Sequence, residues 1–190
     1  MSITELAPAK LNLTLDVGAR RPDGYHEVTS VMQSAALYDV VTLETVETDD
    51  IVVECPGTDL PTGPDNLAWK AADVFFQETN IPHTGIFIRL EKKIPSQAGL
   101  GGGSSDAAAV LRGMRRLFGA NVSDEALESM AARVGSDVPY CVRGGTALAR
   151  GRGERLTALS PLPMCWFVII KPPVAHSTAV MFRKLDEIAI

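Results

Sequence analysis

The stretch IPSQAGLGGGSSDAAAVL, Ile94–Leu111, decides how the rest of this 190-residue chain is interpreted. Its first half holds four glycines within five positions, Gly99, Gly101, Gly102 and Gly103. Glycine lets a backbone take a positive φ or approach another group closely, because it has no Cβ. The alanine-rich second half favours a helix, which we expect from about Ser104 to Phe118. The pattern therefore predicts a glycine loop that leads directly into a helix.

Such a loop is suited to binding an anion, most often a phosphate. Free N–H groups and the positive end of the helix dipole point into the same space. The sequence is not a P-loop, because no lysine follows the glycines, and GxGxxG fails because Ser104 stands where the last glycine would be. On the motif alone, a tight turn without a ligand is the alternative interpretation.

The composition is that of a globular protein with a net charge of -5. This charge argues against a nucleic-acid partner, which would require a basic face. The three cysteines, Cys55, Cys141 and Cys165, form no CxxC pair, and we expect buried, reduced thiols. There is no apolar signal core and no apolar run of membrane-spanning length. We therefore predict a cytoplasmic protein with no membrane partner.

Hydrophobic periodicity predicts irregularly interleaved strands and helices. KLNLTLDVG, Lys10–Gly18, alternates as a half-buried strand with Leu13 and Leu15 on its apolar side. Further strands are expected at residues 40–46, 51–55, 85–91, 140–150 and 165–172, and further helices after Asp65, Ser123 and Ser177 as N-caps. This order favours a mixed α+β sheet over a doubly wound parallel one.

Four motifs, taken in their order along the chain, resemble those of the GHMP kinase superfamily. They are PAKLNLTL at Pro8–Leu15, RPDGYHEV at Arg21–Val28, PSQAGLGGGSSDAAA at Pro95–Ala109 and GSDVPYCVRGGTAL at Gly135–Leu148. The first two narrow the resemblance to kinases that act on 4-diphosphocytidyl-2-C-methyl-D-erythritol. The resemblance implies a GHMP kinase N-terminal domain of the ribosomal protein S5 domain 2-like fold at residues 1–171, and the start of a truncated C-terminal domain at residues 172–190.

The resemblance also implies an activity, namely ATP-dependent phosphorylation of the 2-hydroxyl of that substrate, a step of the non-mevalonate isoprenoid pathway. ATP and Mg²⁺ are the implied cofactors. The catalytic lysine and aspartate of the family correspond to Lys10 and Asp137. A carboxylate can accept the hydroxyl proton and a fixed cation can stabilise the transferring phosphoryl group. Without the resemblance, a lone lysine in an apolar strand, such as Lys10, is more often a snorkelling edge residue, and the SDVP segment that holds Asp137 is more often a turn or cap than a catalytic site.

Binding residues follow from the same resemblance. The implied ATP site comprises Asn66, Leu67, Lys92, Pro95, Ser96, Gln97, Ala98, Gly99, Leu100, Gly101, Gly102, Gly103, Ser104 and Ser105. Tyr25 and Phe182 would stack on the two faces of the cytosine, His26 would read its edge, and Asn12 would lie near the substrate diphosphate. Ser104 or Ser105 could touch the magnesium ion, whose other ligands are left open.

The length of the chain leaves alternatives. Members of the family continue beyond the equivalent of Ile190 into a second domain with a further glycine-rich motif. The chain is thus either part of a complete kinase or a catalytically silent nucleotide-binding module. An RNA-binding module is disfavoured by the acidic composition. We expect the apolar face left by a missing domain to favour a homodimer, which a monodisperse monomer in light scattering would contradict.

Overall fold

A long antiparallel hairpin forms the framework of the fold. Its strands are β1, Ser2–Arg20, and β2, His26–Val46, and their register shifts three times along the pairing. The structure is a computed structural model that describes residues 1–79, 81–82, 85–172 and 178–188. The strands predicted at residues 10–18 and 40–46 are parts of β1 and β2, which are both much longer than predicted.

Strand β2 also carries the remainder of the sheet. Its first half pairs antiparallel with β5, Thr146–Gly151, and its second half pairs antiparallel with β4, Gly85–Glu91. Strand β3, Ile51–Glu54, lies parallel to β4, and β6, Arg155–Ala158, is antiparallel to β5. The strand order is β3-β4-β2-β5-β6, with β1 paired to β2. The sheet is mixed, as predicted.

Three helices pack against this sheet: α1, Leu67–Glu78; α2, Gly102–Leu117; and α4, Val138–Arg143. Helix α3, Asp124–Val134, packs against these three helices. Together with strands β2 and β4, the four helices enclose the main core, whose largest fully buried side chains include Tyr140, Phe75, Leu43, Ile86, Ile88, Leu90, Leu111 and Met114. A fifth helix, α5, covers Thr178–Ile188 as the sequence predicts. Its expected cap Ser177 lies outside the described residues.

The helix starts differ in part from the predicted ones. Asn66, not Asp65, caps α1, because the Asn66 Oδ1 accepts a hydrogen bond from the Ala68 N–H at 2.8 Å. Helix α2 begins at Gly102, two residues earlier than expected, after Gly101 in a left-handed conformation. The Ser123 cap of α3 is confirmed by its hydrogen bond from the Ala126 N–H at 3.2 Å.

The strand predicted at residues 140–150 is wrong in its first part, and the strand predicted at residues 165–172 is wrong throughout, for physical reasons. Residues 140–143 belong to α4, because the segment starts with a proline in the first helical turn and buries Tyr140 and Cys141 in the core. Strand β5 then begins after the glycine pair at residues 144 and 145. Residues 165–172 are irregular, since no strand in the described part of the chain pairs with them to satisfy their backbone.

Burial also departs from the sequence pattern at two places. Leu13 and Leu15 are 38% and 50% exposed, because neither joins a core cluster in the described part of the chain. Cys55 and Cys141 are buried and free as predicted, and burial raises the pKa of the Cys141 thiol to about 12. Cys165 is exposed, which the prediction of three buried thiols missed.

Arg112 of α2 ties together the elements that carry the site described next. Its Nη1 donates to the Cys141 carbonyl oxygen of α4 at 2.8 Å, and its Nη2 donates to the Leu6 carbonyl oxygen of β1 at 2.9 Å. These bonds satisfy two backbone carbonyls with one charged group.

Across the residues described, no helix combines the length and apolar character required to cross a membrane.

Candidate active site

The structure brings Lys10 and Asp137 into direct contact, although they lie 127 residues apart in sequence. The Lys10 Nζ is 2.9 Å from the Asp137 Oδ2, which is an ion pair with a hydrogen bond. Lys10 comes from β1 and is 5% exposed, whereas the Asp137 side chain, just before α4, is about one third exposed. A partly accessible carboxylate beside a buried ammonium can accept a proton next to a fixed positive charge.

The glycine loop packs directly on Lys10. The Lys10 N–H donates to the Leu100 carbonyl oxygen at 2.8 Å. A Cβ at Gly101 would lie 3.2 Å from the Lys10 Cβ and 3.3 Å from its Cε. Gly101 has a φ of +67° and Gly99 a φ of +72°, conformations that favour glycine. The loop therefore holds the lysine stem between its backbone and the sheet.

The same loop has the features of a phosphate cradle. Helix α2 starts at Gly102, and the first N–H groups of a helix have no partner within it. Residues 95–97 are exposed, and Gln97 takes a φ of +54°, which is uncommon for a residue with a Cβ. Bare amides at the positive end of a 16-residue helix are suited to hold a polyphosphate.

Lys92, predicted to bind ATP, lies between two buried carboxylates. Its Nζ donates to the Asp39 Oδ2 at 2.5 Å and also to the Asp106 Oδ2. The Asp39 Oδ1 accepts from the backbone N–H groups of Lys93 and Ile94, at 2.5 and 2.8 Å. Asp39 therefore fixes the chain where β4 leads into the glycine loop.

This cluster carries two carboxyl groups for one ammonium. Burial raises the pKa of Asp106 to about 7, and the nearby Lys92 opposes that rise. The Asp106 Oδ1 has no hydrogen-bond partner among the described residues. Sequence reasoning missed Asp39 and Asp106, although a lysine next to a buried strand requires acidic partners. That requirement indicates that acidic partners exist, but it does not say which residues they are.

Three other predicted ATP-site residues have structural contacts. The Asn66 Nδ2 donates to the Pro61 carbonyl oxygen at 2.7 Å, while its Oδ1 caps α1. The Ser105 hydroxyl donates to the Pro8 carbonyl oxygen at 2.7 Å and is fully buried, so it faces β1. Leu67 lies beside the loop, since a Cβ at Gly103 would be 3.7 Å from its Cδ1.

Asn12, predicted to lie near the substrate diphosphate, is adjacent to the ion pair. Its Oδ1 accepts from the Lys10 Nζ at 3.3 Å and from the Ser30 hydroxyl at 3.2 Å. The turn between β5 and β6 approaches from the other strand pair, since a Cβ at Gly153 would lie 3.7 Å from the Asp137 Oδ1. The reactive pair is thus bordered by Asn12 and by this turn.

The predicted base-binding residues lie near the far end of the hairpin. Tyr25 is 51% exposed, and the Arg152 guanidinium lies 4.8 Å from the centroid of its ring. The rings of His26 and Phe182 are in tilted contact, with centroids 5.2 Å apart. The His26 Nε2 is 2.7 Å from the Asp186 Oδ1. The structure brings His26 and Phe182 together, and it adds Arg152 and Asp186, which the sequence did not indicate.

A protein-built metal site is not found in the described part of the chain, where no three His, Cys, Asp or Glu residues converge suitably. Mg²⁺ in phosphoryl-transfer enzymes is held largely by the nucleotide phosphates and one or two carboxylates. Of the two serines suggested for it, Ser105 is occupied by Pro8, and Ser104 is half-buried in the first turn of α2. The magnesium site stays a prediction.

Comparison with known proteins identifies the family. Residues 66–145 match the family described as GHMP kinases N terminal domain. The 4-diphosphocytidyl-2-C-methyl-D-erythritol kinase of Enterococcus faecalis is 47% identical over 99% of this chain and 67% of its own length. The enzyme of the same name from Bacillus subtilis is also 47% identical, with 99% of this chain and 65% of its own length covered.

Solved structures agree. A 4-(cytidine 5'-diphospho)-2C-methyl-D-erythritol kinase superposes with a TM-score of 0.75 and 38% identity, covering 95% of this chain and 63% of that one. A mevalonate kinase, at 15% identity and a TM-score of 0.66, shares the fold. The chain spans about two thirds of the length of the curated relatives it matches. The chain therefore belongs to the GHMP kinases and, within them, to the 4-diphosphocytidyl-2-C-methyl-D-erythritol kinase family.

Proposed function

We propose that this chain supplies the ATP site and the reacting residues of a kinase that phosphorylates the 2-hydroxyl of 4-diphosphocytidyl-2-C-methyl-D-erythritol. The observation that carries the proposal is the 2.9 Å pair of Lys10 and Asp137, packed against the glycine loop through Gly101. The names of the relatives supply the substrate. The reaction would belong to the non-mevalonate route to isoprenoid precursors, in the cytoplasm.

Asp137 would act as the general base. A sugar-alcohol hydroxyl is a poor nucleophile until its proton is accepted, and the one-third exposed Asp137 carboxylate can take it. The substrate oxygen then bonds to the γ-phosphorus of ATP while the bond to the β–γ bridging oxygen breaks. Lys10 donates to Asp137 and keeps positive charge where the phosphoryl group is transferred.

The glycine loop would bind the triphosphate through its backbone. Gly99 and Gly101 allow the left-handed turns that expose the N–H groups, and α2 adds its dipole. Mg²⁺, when bound, would neutralise part of the phosphate charge, and Ser104 in the first turn of α2 is a residue that would contact it. Lys92 has a third N–H beyond those directed at its two carboxylates, and a Cβ at Gly102 would be 3.5 Å from its Nζ. Lys92 can therefore donate towards the loop while the two carboxylates orient it.

The substrate would extend from the ion pair towards the hairpin end. Asn12 stands beside Lys10 and suits the diphosphate side, while Tyr25, His26 and Phe182 suit the cytosine. Stacking on an aromatic ring contributes about 1–3 kcal/mol per base. In the present arrangement, Arg152 covers one face of Tyr25, so a base that stacked there would displace the guanidinium.

The test replaces Asp137 by asparagine. ADP formation with the cytidylylated substrate should fall by a factor of at least about 10², because the proton acceptor is lost. ATP binding, measured by isothermal titration calorimetry, should stay within about twofold, because the glycine loop is untouched. Asp124→Asn is the matched control, since Asp124, the first residue of α3, is exposed and pairs with Arg115 of α2. It should retain full activity.

Two outcomes would contradict the proposal. Turnover retained by Asp137→Asn would remove the general-base role. A wild-type chain that binds ATP but forms no ADP in the presence of the substrate would favour the silent nucleotide-binding module instead.

A further inference from the structure

Asp186 contacts the imidazole that the proposed function places at the cytosine. The Asp186 Oδ1 lies 2.7 Å from the His26 Nε2, and the His26 side chain is 7% exposed. Asp186 and Phe182 are four residues apart on α5, so both side chains lie on the same face of the helix. One helix face therefore supplies His26 with a ring contact and a carboxylate.

The carboxylate determines which ring nitrogen of His26 carries the proton. A neutral imidazole has one N–H donor and one lone-pair acceptor. An ionised carboxylate can only accept, so the 2.7 Å contact requires the proton on Nε2. Nδ1 is then the acceptor, and it makes no hydrogen bond within the described part of the chain. His26 consequently offers a lone pair to a ligand.

We propose that Asp186 is a positioning residue that makes this site select cytosine over uracil. The proposal rests on the proposed function, which places a cytidine diphosphate group here. Cytosine carries an amino group at C4, which donates, whereas uracil has a carbonyl oxygen there, which accepts. The Nδ1 lone pair can accept from the cytosine amino group and faces an unfavourable contact with the uracil oxygen. Asp186 thus acts on selectivity through His26 without touching the base.

A purely structural role is the competing explanation. Asp186 also lies 3.8 Å from the Arg20 guanidinium, so it helps to hold α5 against the end of the hairpin. Loss of that tie would loosen Phe182 and weaken binding of either base to the same extent. The ratio of affinities for the two bases separates the explanations, because only the tautomer distinguishes an amino group from a carbonyl.

The experiment measures binding of cytidine 5'-diphosphate and uridine 5'-diphosphate by isothermal titration calorimetry at pH 8, where imidazole is ordinarily neutral. The wild-type chain should prefer the cytidine nucleotide by roughly tenfold or more. Asp186→Ala should reduce this preference to about twofold. Asp186→Asn should keep most of it, because the amide oxygen can still accept from Nε2. Glu187→Gln, on the neighbouring position of α5, is the matched control and should match wild type.

A second measurement reports the tautomer without a ligand. The chain has three histidines, so the ¹⁵N signals of the His26 imidazole can be identified as those that disappear from the spectrum of His26→Gln. His26 should show the Nε2-protonated form in the wild type and a mixture in Asp186→Ala. An unchanged affinity ratio in Asp186→Ala, equal weakening of both nucleotides, or no binding of either by wild type would overturn the inference. ADP formation, assayed separately, decides the proposed function in each case.

Discussion

A methyl group at Gly101 should lower catalytic activity in addition to destabilising the fold. Gly101 has a φ of +67°, and its added Cβ would lie 3.2 and 3.3 Å from the Lys10 Cβ and Cε. Both distances are shorter than ordinary van der Waals contact, so the lysine stem must shift by a few tenths of an ångström. That shift moves the ammonium that pairs with Asp137 at 2.9 Å.

The magnitude divides into two parts. A left-handed conformation costs a residue with a Cβ about 1–2 kcal/mol. For a domain of this size, each kcal/mol lowers the melting temperature by about 2–4 °C, so Gly101→Ala should melt about 2–8 °C lower. The displaced Lys10 adds a loss in kcat, because misplacement of a reacting group by about 1 Å can cost 10²-fold. For a smaller shift we expect a loss of about tenfold.

Gly99 is the matched control. Its φ is +72°, so Gly99→Ala carries the same backbone strain, but its Cβ would meet nothing within 4 Å. Differential scanning calorimetry should show similar destabilisation for both variants, and ADP formation at saturating ATP should drop for Gly101→Ala alone. Equal kcat values in the two variants would refute the argument that the loop positions Lys10 through this contact.

Three further predictions follow from the same contacts. Burial raises the pKa of Asp106 from 3.8 to about 7, so folding takes up a proton between these pH values, and wild type loses stability as pH rises through them. The stability of Asp106→Asn relative to wild type, measured by urea unfolding, should therefore increase from pH 4 to 7. A difference that stays constant with pH would contradict this. Asp39→Ala should lower the free energy of unfolding by about 3–5 kcal/mol, because it leaves Lys92 and two backbone N–H groups underpaired. A loss below about 1 kcal/mol in the same assay would contradict the view that Asp39 fixes the chain before the glycine loop. Tyr25→Ala should raise KM for the cytidylylated substrate by about tenfold with kcat nearly constant, and an unchanged KM would remove Tyr25 from the base site.

Much of the architecture was predictable because it depends on local chemistry. The glycine loop before α2, the Ser123 cap and the alternation of β4 each follow from residues a few positions apart. The predictions that failed concern segments whose structure depends on tertiary contacts. Residues 140–143 have strand-like composition, but their packing against α2 and α3 selects a helix. No local pattern states whether residues 165–172 will find a strand to pair with.

The candidate site, like the fold, could be predicted from the sequence only in part. The motifs indicated Lys10 and Asp137 through a resemblance, and the structure adds their contact and its distance. Asp39, Asp106 and Asp186 could not be singled out, because acidic residues are abundant and these three gain meaning from the partner that each one meets. Charge complementarity across distant segments is invisible until the segments are placed together.

The central position of β2 has a consequence for how the chain is made. Strand β2 ends at Val46, whereas β5, which covers its first half, begins about 100 residues later at Thr146. At about 5–20 residues per second, a ribosome would take about 5–20 s to supply that partner. During this interval an unpaired edge is available to other strands. We expect nascent chains of this protein to engage chaperones until β5 has emerged.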